Sequence, residues 1–192
     1  KLVNLIGGRY KWTENEFCFE VGNYEEKVDP QRSKSKAAQI YQDSTIVKFI
    51  PSKGNLYSSS MTAEGFKKIG ILYQLLGNRS LNSDINGPLF WDEPESNLNP
   101  NLMKSIVEVM LELSRNGQQI ILATHDYVLL KWFDLLMDKE KDDHVRYHLL
   151  SKDQNSGEVK LESTDDYSLI TKSAISNTFA ELYDEDVKRA LG

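Results

Sequence analysis

The sequence predicts an α/β fold in which a pair of buried parallel strands is combined with antiparallel strands. Two short apolar segments, Pro88–Trp91 and Gln119–Ala123, flank one amphipathic segment of helix length. A strand–helix–strand order of this kind needs a crossover connection, which makes the two strands parallel. Near the N-terminus, Arg9–Trp12 and Glu16–Val21 are joined by a polar turn, which predicts an antiparallel hairpin.

Length and composition exclude several classes of protein. The chain has 192 residues, of which 40% are hydrophobic and 27% are charged, and this globular balance excludes a disordered tail or a collagen-like repeat. No apolar run approaches the roughly 20 residues that a membrane span needs, so we expect no membrane partner. Cys18 is the only cysteine, which excludes a disulfide scaffold and favours a reducing, cytoplasmic location. The net charge of −6 gives no overall basic field for nucleic acid or anionic lipid.

The first residues predict the end of a helix. Leu2–Ile6 is mostly apolar and is followed by Gly7-Gly8, a pattern typical of a last helical turn with its glycine stop. A helix that ends here would have begun before residue 1, so we expect the chain to be a piece of a longer protein. A short unstructured N-terminus is the alternative.

The segments after the hairpin predict a loop, a strand and a helix. Gly22–Gln42 is polar and charged, which predicts a loop or a marginal helix. Ser44–Ile50 is β-branched and apolar, which predicts a strand that Pro51 ends. Met61–Leu76 has helical periodicity. Its predicted buried stripe consists of Phe66, Ile69, Tyr73 and Leu76.

A capped helix is predicted between the two parallel strands. Asn99 can cap it, Pro100 suits its first position, and Gly117 ends it. Its predicted buried face consists of Leu102, Ile106, Met110 and Leu113. The elements predicted after the second strand are a helix at Tyr127–Met137, a charged turn at Asp138–Asp143, strands at His144–Leu150 and Glu158–Ser163, and a helix near Asn177–Leu191.

Two adjacent carboxylates follow the first parallel strand. Asp92 and Glu93 stand at the carboxyl end of that strand, where ligands bind in open parallel sheets. One carboxylate there can hold Mg²⁺ while the other orients or deprotonates a water. Taken alone, the pair is equally compatible with an acidic strand-to-loop turn.

A histidine follows the second parallel strand. His125 comes 33 residues after Asp92, a separation that one intervening helix requires. A lone histidine is usually an ordinary core or surface residue. Because neighbouring parallel strands end at the same edge, we expect His125 to lie beside the carboxylates as a candidate phosphate contact.

Four segments, in this order, resemble motifs of ATP-binding-cassette (ABC) ATPases. Thr62-Ala63-Glu64-Gly65 resembles the signature loop, and Pro88–Glu93 resembles a Walker B strand with its catalytic glutamate. Ser96–Asn99 resembles the D-loop, and Thr124-His125-Asp126 resembles the H-loop. The sequence is most similar to AAA-labelled ATPases of the RecF, overcoming-lysogenisation-defect and SMC-like branch. The resemblance implies a partial P-loop NTPase core with the signature at 59–66, Walker B and D-loop at 88–100, and the H-loop at 124–126.

The resemblance also implies an activity and a set of site residues. It implies a protein that binds and hydrolyses ATP with Mg²⁺ and forms a head-to-tail homodimer around two nucleotides. Asp92 would help to hold Mg²⁺, Glu93 would position or activate the attacking water, and His125 would contact the γ-phosphate. These residue types suit phosphoryl transfer, which needs positioning and charge stabilisation more than covalent chemistry. The other implied nucleotide-binding residues are Ala63, Glu64 and Gly65 of the signature and Ser96, Asn97 and Asn99 of the D-loop.

The sequence departs from the family pattern in three places. Ala63 stands where many relatives have serine, and Asn99 stands where the D-loop often has aspartate. The Walker A pattern G-x-x-x-x-G-K-[S/T], whose loop cradles the phosphates, occurs nowhere in the 192 residues. We therefore expect residues 1–192 to be the C-terminal part of one ABC-type ATPase domain, inactive alone, with the Walker A loop on an N-terminal segment of the same protein.

Two other functions stay open on the sequence. One is a non-catalytic interaction module gated by nucleotide, although inactive members typically lose the residue that corresponds to Glu93. The other is the ATPase of a DNA repair or defence machine, but no basic groove or coiled-coil heptad in this chain supports nucleic-acid binding. Five further residues are predicted to have structural and not functional roles. These are His144 and His148 on the surface, Trp132 and Phe133 in the core, and Cys18 as a buried thiol.

Overall fold

The chain folds into two compact units, residues 1–80 and residues 81–192. In the described residues no helix is both long enough and apolar enough to cross a membrane. The computed structural model describes residues 6–14, 16–28, 45–77, 81, 87–153, 156–170 and 173–191.

The first unit contains a three-stranded antiparallel sheet. Its strands are β1 (Gly8–Trp12), β2 (Phe17–Val28) and β3 (Thr45–Ser58), in the order β1-β2-β3. β1 and β2 pair with Tyr10 opposite Phe19, which confirms the predicted hairpin. Cys18 is buried, as predicted.

Two predictions about this sheet were wrong. The region from Gly22 was predicted to be a loop or marginal helix, but β2 continues to Val28, because Val28 and its neighbours pair with the start of β3. Residues 29–42 of that prediction lie outside the described residues. Pro51 was predicted to end the next strand, but β3 continues to Ser58. Pro51 lies opposite Gly22, at a register shift on an edge strand of the described sheet, where the missing N–H of proline is tolerated.

Helix α1 (Glu64–Gly77) packs on β1. It begins three residues later than predicted because Ser59–Met61 forms a separate 3₁₀ turn. Its buried apolar side chains are Ile69 and Leu72, so the buried face is rotated from the predicted stripe, whose other members are half-buried.

Close packing of α1 depends on one glycine. The ring of Tyr10, which is 1% exposed, lies against Gly70, and a Cβ atom at position 70 would be 2.0 Å from Tyr10 Cδ2. Gln74 Nε2 also donates a hydrogen bond to the Tyr10 carbonyl at 2.5 Å. Before β1, Gly7 has φ 63°, as a helix-stopping glycine would have, while residues 1–5 of the predicted helix lie outside the described residues.

The second unit contains the predicted parallel pair. Strands β4 (Leu89–Asp92) and β5 (Ile120–Ala123) pair in parallel, with Asp92 opposite Ala123. Helix α2 (Pro100–Arg115) connects them. Asn99 caps α2 by accepting a hydrogen bond from Asn101 N at 3.0 Å, and Gly117 follows with φ 88°, so both predicted helix ends are confirmed.

The predicted burial of this region was correct only in part. Both strands were predicted to be buried, yet burial alternates along them, and Phe90 is 71% exposed beside a partly exposed Ile121. β4 and β5 form a two-stranded sheet in the described part of the chain, and only one of its faces is covered. In α2 the predicted Ile106 and Met110 are buried, whereas Leu102 and Leu113 are half-buried. The other buried residues of α2 are Met103, Val107 and Leu111.

The remaining elements follow the predicted order. Helix α3 (Tyr127–Leu136) buries Phe133 and packs against α2, and Trp132 is half-buried. Strands β6 (Tyr147–Lys152) and β7 (Val159–Thr164) form an antiparallel pair. Helix α4 (Ala174–Leu191) contacts α3, and the rings of Tyr127 and Phe179 stack with centroids 4.3 Å apart.

An ion pair between the exposed Arg115 and the buried carboxylate of Asp143 joins the end of α2 to the charged turn after α3. Arg115 Nε and Nη2 donate to the two oxygens of Asp143 at 2.8 and 2.7 Å. The Asp143 side chain is 1% exposed and also accepts from Asp138 N at 2.8 Å. These hydrogen bonds from Arg115 hold the pKa of Asp143 below its ordinary value.

Candidate functional site

The backbone reverses sharply after β4. Glu93 N donates to Ala123 O at 2.8 Å, which extends the pairing with β5 by one residue beyond Asp92. Glu93 then has φ 44°, a left-handed conformation that side-chain-bearing residues rarely adopt. Hydrogen bonds from Ser96 N to Glu93 O and from Leu98 N to Glu95 O close two successive turns. Local strain of this kind is concentrated at functional sites in proteins.

Glu93, at the start of these turns, lies beside His125. Glu93 Oε1 lies 3.1 Å from His125 Nδ1. The expected proximity of the histidine to the acid pair is therefore confirmed for Glu93. A carboxylate only accepts hydrogen bonds, so a hydrogen bond across this distance requires the proton on Nδ1. The other ring nitrogen, Nε2, is then an acceptor in the neutral ring and a donor in the imidazolium.

A second contact joins the same two loops. Thr124 Oγ1 donates to Glu95 Oε1 at 2.6 Å, and Glu95 is buried, with an exposure of 6%. This contact was not predicted from the sequence, because Glu95 looks like part of a solvated acidic turn. The sequence signal for a buried residue here was Pro94, which ends the strand directly before Glu95. Pro94 itself is buried.

Side-chain hydrogen bonds also fix the loop after β5. Asp126 N donates to Thr124 Oγ1 at 3.0 Å. Asp126 in turn caps α3, because its Oδ1 accepts from Leu129 N at 2.6 Å. His125 therefore lies between Thr124 and Asp126, and the side chains of both are fixed by hydrogen bonds.

Asp92 stands exposed at the last position of β4. Among the described residues no group of three or more His, Cys, Asp or Glu side chains could hold a metal ion. Mg²⁺ in phosphoryl-transfer sites is commonly held by one or two carboxylates together with phosphates and waters. Asp92 therefore suits Mg²⁺ that arrives with a nucleotide.

The D-loop-like residues occupy the turns before α2. Asn97 has φ 62°, a left-handed conformation that asparagine tolerates better than most residues. Asn99 uses Oδ1 to cap α2, so this side chain has a structural partner whatever its functional role. Ser96 lies in the turn that Glu93 begins.

The signature-like residues belong to the first unit, at the start of α1. Thr62 Oγ1 donates to Ser59 O at 2.8 Å, so the 2.7 Å contact between Thr62 Oγ1 and Tyr10 Oη has the tyrosine as donor. Ala63 and Glu64 are exposed, Gly65 is buried, and Glu64 pairs with Lys67 at 2.8 Å. The predicted position of this segment at a helix N-terminus is confirmed.

A cavity of about 570 Å³ lies beside β5 in the second unit. Thr124 and His125 reach it, but Asp92 and Glu93 do not line it. Two buried tyrosines, Tyr147 and Tyr167, also line it. Their hydroxyl groups have no hydrogen-bond partner among the described residues, and burial raises the pKa of Tyr147.

The other histidines are on the surface, as predicted. His148 Nδ1 lies 2.8 Å from Ser163 Oγ. His144 Nε2 lies 3.4 Å from Asp165 Oδ1, and both histidines are exposed. Neither takes part in a possible metal cluster of the described residues.

Known proteins resemble parts of this chain. The L-cystine import ATP-binding protein TcyN of Bacillus subtilis (strain 168) is 32% identical over 74 residues, which are 38% of this chain and 26% of TcyN. The chain thus spans about a quarter of the length of this curated relative.

Solved structures of SMC proteins resemble the chain distantly. A structure concerned with ATP-driven dimerization and DNA-stimulated activation of SMC ATPases aligns at 12% identity, covering 86% of this chain and 81% of that one, with a TM-score of 0.44. An Smc head bound to the C-winged helix domain of ScpA aligns at 13% identity, covering 77% and 38%, with a TM-score of 0.46. A Pyrococcus furiosus Smc head domain with an extended coiled coil aligns at 13% identity, covering 86% and 34%, with a TM-score of 0.43.

A family model matches more than half of the chain. The match covers residues 13–131, which contain the signature-like, Walker B-like, D-loop-like and H-loop-like segments. The predicted relationship to AAA-labelled ABC-type ATPases is confirmed by this match. The chain belongs to the AAA domain family described as "AAA domain, putative AbiEii toxin, Type IV TA system".

Proposed function

We propose that this chain supplies the water-activating and γ-phosphate-contacting groups of an ATP-hydrolysing site. The observation that carries the proposal is the 3.1 Å contact between Glu93 Oε1 and His125 Nδ1 at the carboxyl ends of two parallel strands. A γ-phosphate within hydrogen-bond reach of the imidazole also lies close to the Glu93 carboxylate. A general base and a phosphate contact are thus available in one place.

Each group has a separate task in the proposed reaction. Glu93 accepts a proton from the attacking water or orients it for in-line attack. His125 contacts a γ-phosphate oxygen and stabilises the charge that spreads over those oxygens. Asp92 would help to hold Mg²⁺, which would supply positive charge to neutralise the phosphates. The loop geometry positions Glu93 and His125 before substrate arrives, which reduces the reorganisation the reaction requires.

Besides Glu93 and His125, the proposed site needs a phosphate-binding loop and contacts from the signature-like and D-loop-like residues. No Walker A motif occurs in the sequence, so we propose that another segment of the same protein supplies the phosphate-binding loop. The start of α1 supplies backbone N–H groups near Ala63, Glu64 and Gly65, which suit a γ-phosphate bound by the opposite subunit of a homodimer. The D-loop-like residues Ser96, Asn97 and Asn99 would then connect the two nucleotide sites.

The test compares Glu93→Gln with wild type in the complete protein that includes a Walker A segment. The substitution keeps size and hydrogen bonding but removes the charge needed to activate water. We expect turnover to fall by about 10²–10⁴-fold, while ATP still binds and the ATP-bound dimer accumulates. ATPase rate, nucleotide affinity and light scattering measure these three effects. Glu158→Gln is the matched control, because Glu158 is exposed in the strand-flanking turn before β7.

The opposite outcome would favour the non-catalytic alternative. If Glu93→Gln leaves the rate within about twofold of wild type, a difference worth roughly 0.4 kcal/mol, Glu93 has no part in water activation. ATP-dependent dimerisation without turnover would then identify a nucleotide-gated interaction module.

A further inference from the structure

Glu95, which is buried, and Thr124, which is half-buried, are polar residues that the proposed chemistry does not use. Glu95 lies two residues after Glu93, and Thr124 directly precedes His125. Thr124 Oγ1 donates to Glu95 Oε1 at 2.6 Å, while Glu95 Oε2 has no hydrogen-bond partner among the described residues. A carboxyl group removed from water is costly unless its hydrogen bonds compensate, so a single short bond at this place calls for an explanation.

The direction of the hydrogen bonds is determined by their donors. Asp126 N–H can only donate, and it bonds to Thr124 Oγ1 at 3.0 Å. The one hydroxyl proton of Thr124 is therefore directed to Glu95. Backbone amide, hydroxyl and carboxyl form a chain in which each bond polarises the next. This chain joins the loop after β5 to the loop after β4.

The contact between Glu93 and His125 needs such support. Its two side chains are 46% and 76% exposed, and an exposed ion pair holds its partners together only weakly. Glu93 also adopts a left-handed backbone conformation, which surrounding structure must maintain. The hydrogen bond between Thr124 and the buried Glu95 joins the same two loops.

We infer that Glu95 is a positioning residue which, through Thr124, holds His125 against Glu93. The geometric part of this inference stands on the contacts alone, and its consequence for ATP hydrolysis rests on the proposed function. Loss of the buried bond releases the loop of 124–126 from the loop of 93–98. His125 then samples positions away from Glu93, although α3 keeps its cap at Asp126.

The test uses the imidazole resonances of His125 in the 192-residue chain without nucleotide. The chain has three histidines, so His125→Gln assigns the signal. In the chain that is otherwise wild type, Glu93→Gln removes the charged partner of His125, and we expect its ring resonances to shift. In Thr124→Val, which keeps shape but loses both hydrogen bonds, we expect Glu93→Gln to shift them by less than half as much. Thr124→Ser keeps the hydroxyl, and we expect it to restore the full effect.

A second pair of variants covers the case in which Thr124→Val does not fold, as judged by circular dichroism. Glu95→Met keeps length but removes the acceptor, and Glu95→Gln keeps a carbonyl oxygen that accepts from Thr124. We expect the Glu93–His125 coupling to be lost in Glu95→Met and kept in Glu95→Gln. The size of the His125 resonance shift that Glu93→Gln causes is compared in three backgrounds: wild type, Thr124→Val and Glu95→Met. Equal shifts in all three would overturn the inference.

Kinetics in the complete protein separate this inference from the proposed function. We expect Thr124→Val to lower kcat about tenfold with little change in KM, because a transition-state contact is displaced. Thr124→Ser should recover most of the rate. Absence of ATPase activity in wild type would overturn the proposed function, while the nucleotide-free resonance result would still support the positioning role of Glu95.

Discussion

Glu93 Oε1 and His125 Nδ1 lie 3.1 Å apart although the residues are 32 positions apart in the chain. The parallel register explains this proximity. Asp92 is opposite Ala123, and the backbone bond from Glu93 N to Ala123 O carries the pairing one residue further. The loops that follow both strands therefore leave the sheet at the same level, and Glu93 of one loop meets His125 of the other.

The first prediction concerns nucleotide binding by the 192-residue chain alone. Without a Walker A loop there is no cradle for the phosphates, so we expect no measurable ATP hydrolysis and an affinity too weak for calorimetry. A cooperative thermal transition serves as the control that the chain is folded. Robust binding of Mg²⁺-ATP by this chain would contradict the proposal that another segment supplies the phosphate site.

The second prediction concerns Asp92 in the complete protein. Asp92→Asn removes the carboxylate charge at the end of β4, so we expect Mg²⁺-dependent nucleotide affinity to fall at least about tenfold, and turnover to fall with it. Titrations with and without a chelator measure the effect. The variant and wild type should bind equally when Mg²⁺ is removed. A loss of affinity that persists in chelator would show that Asp92 acts through the fold and not through the metal.

The third prediction concerns packing of α1 on β1. Gly70→Ala places a methyl group 2.0 Å from Tyr10 Cδ2. The ring cannot move away easily, because it stacks on Phe17 with centroids 5.1 Å apart and its hydroxyl bonds to Thr62. Overpacking of this kind costs about 1–3 kcal/mol, which exceeds the roughly 1 kcal/mol that alanine gains over glycine inside a helix.

Urea unfolding of Gly70→Ala measures that net loss of stability. Gly87→Ala is the matched control, since a Cβ at position 87 meets no atom within 4 Å. We expect the control to change the free energy of unfolding by less than about 0.5 kcal/mol. Equal stability of the two variants would show that α1 does not rest on Tyr10 as described.

The fourth prediction concerns the pH dependence of stability at Asp143. Arg115 holds the pKa of Asp143 below its ordinary value through two hydrogen bonds. A carboxyl group whose pKa is lower in the folded state stabilises the fold above its unfolded pKa of about 3.9 and loses that effect as the pH falls through the folded pKa. We therefore expect Asp143→Asn to lower the thermal midpoint at neutral pH, and the difference from wild type to shrink below about pH 4.

Thermal unfolding from pH 7 to pH 3 measures this difference. Asp153→Asn is the control, because Asp153 pairs with Lys160 at 3.0 Å in an exposed turn, where ion pairs contribute little. A midpoint difference for Asp143→Asn that is the same at pH 7 and pH 3 would contradict a role for the ionised carboxylate.

Local patterns in the sequence determined much of the second unit. Asn99, Pro100 and Gly117 define the ends of α2 because capping and left-handed backbone preferences act within a few residues. The parallel pairing of β4 and β5 follows from the length of the connection, which leaves little choice of topology. The expected meeting of Glu93 with His125 needed only these two facts. The roles of the site residues in ATP hydrolysis remain predictions.

Only the tertiary structure decided the features that depend on partners far away in the chain. β2 extends to Val28 and β3 passes through Pro51 because the two strands pair with each other, and hydrogen bonds between strands leave no local periodic signal. The bond between Glu95 and Thr124 was equally invisible, since an acidic residue in a turn is normally solvated. The sequence by itself determined the ends of α2 and which polar residues follow β4 and β5, because these depend on local backbone chemistry. Burial and register were decided by the fold, because they depend on which surfaces meet in three dimensions.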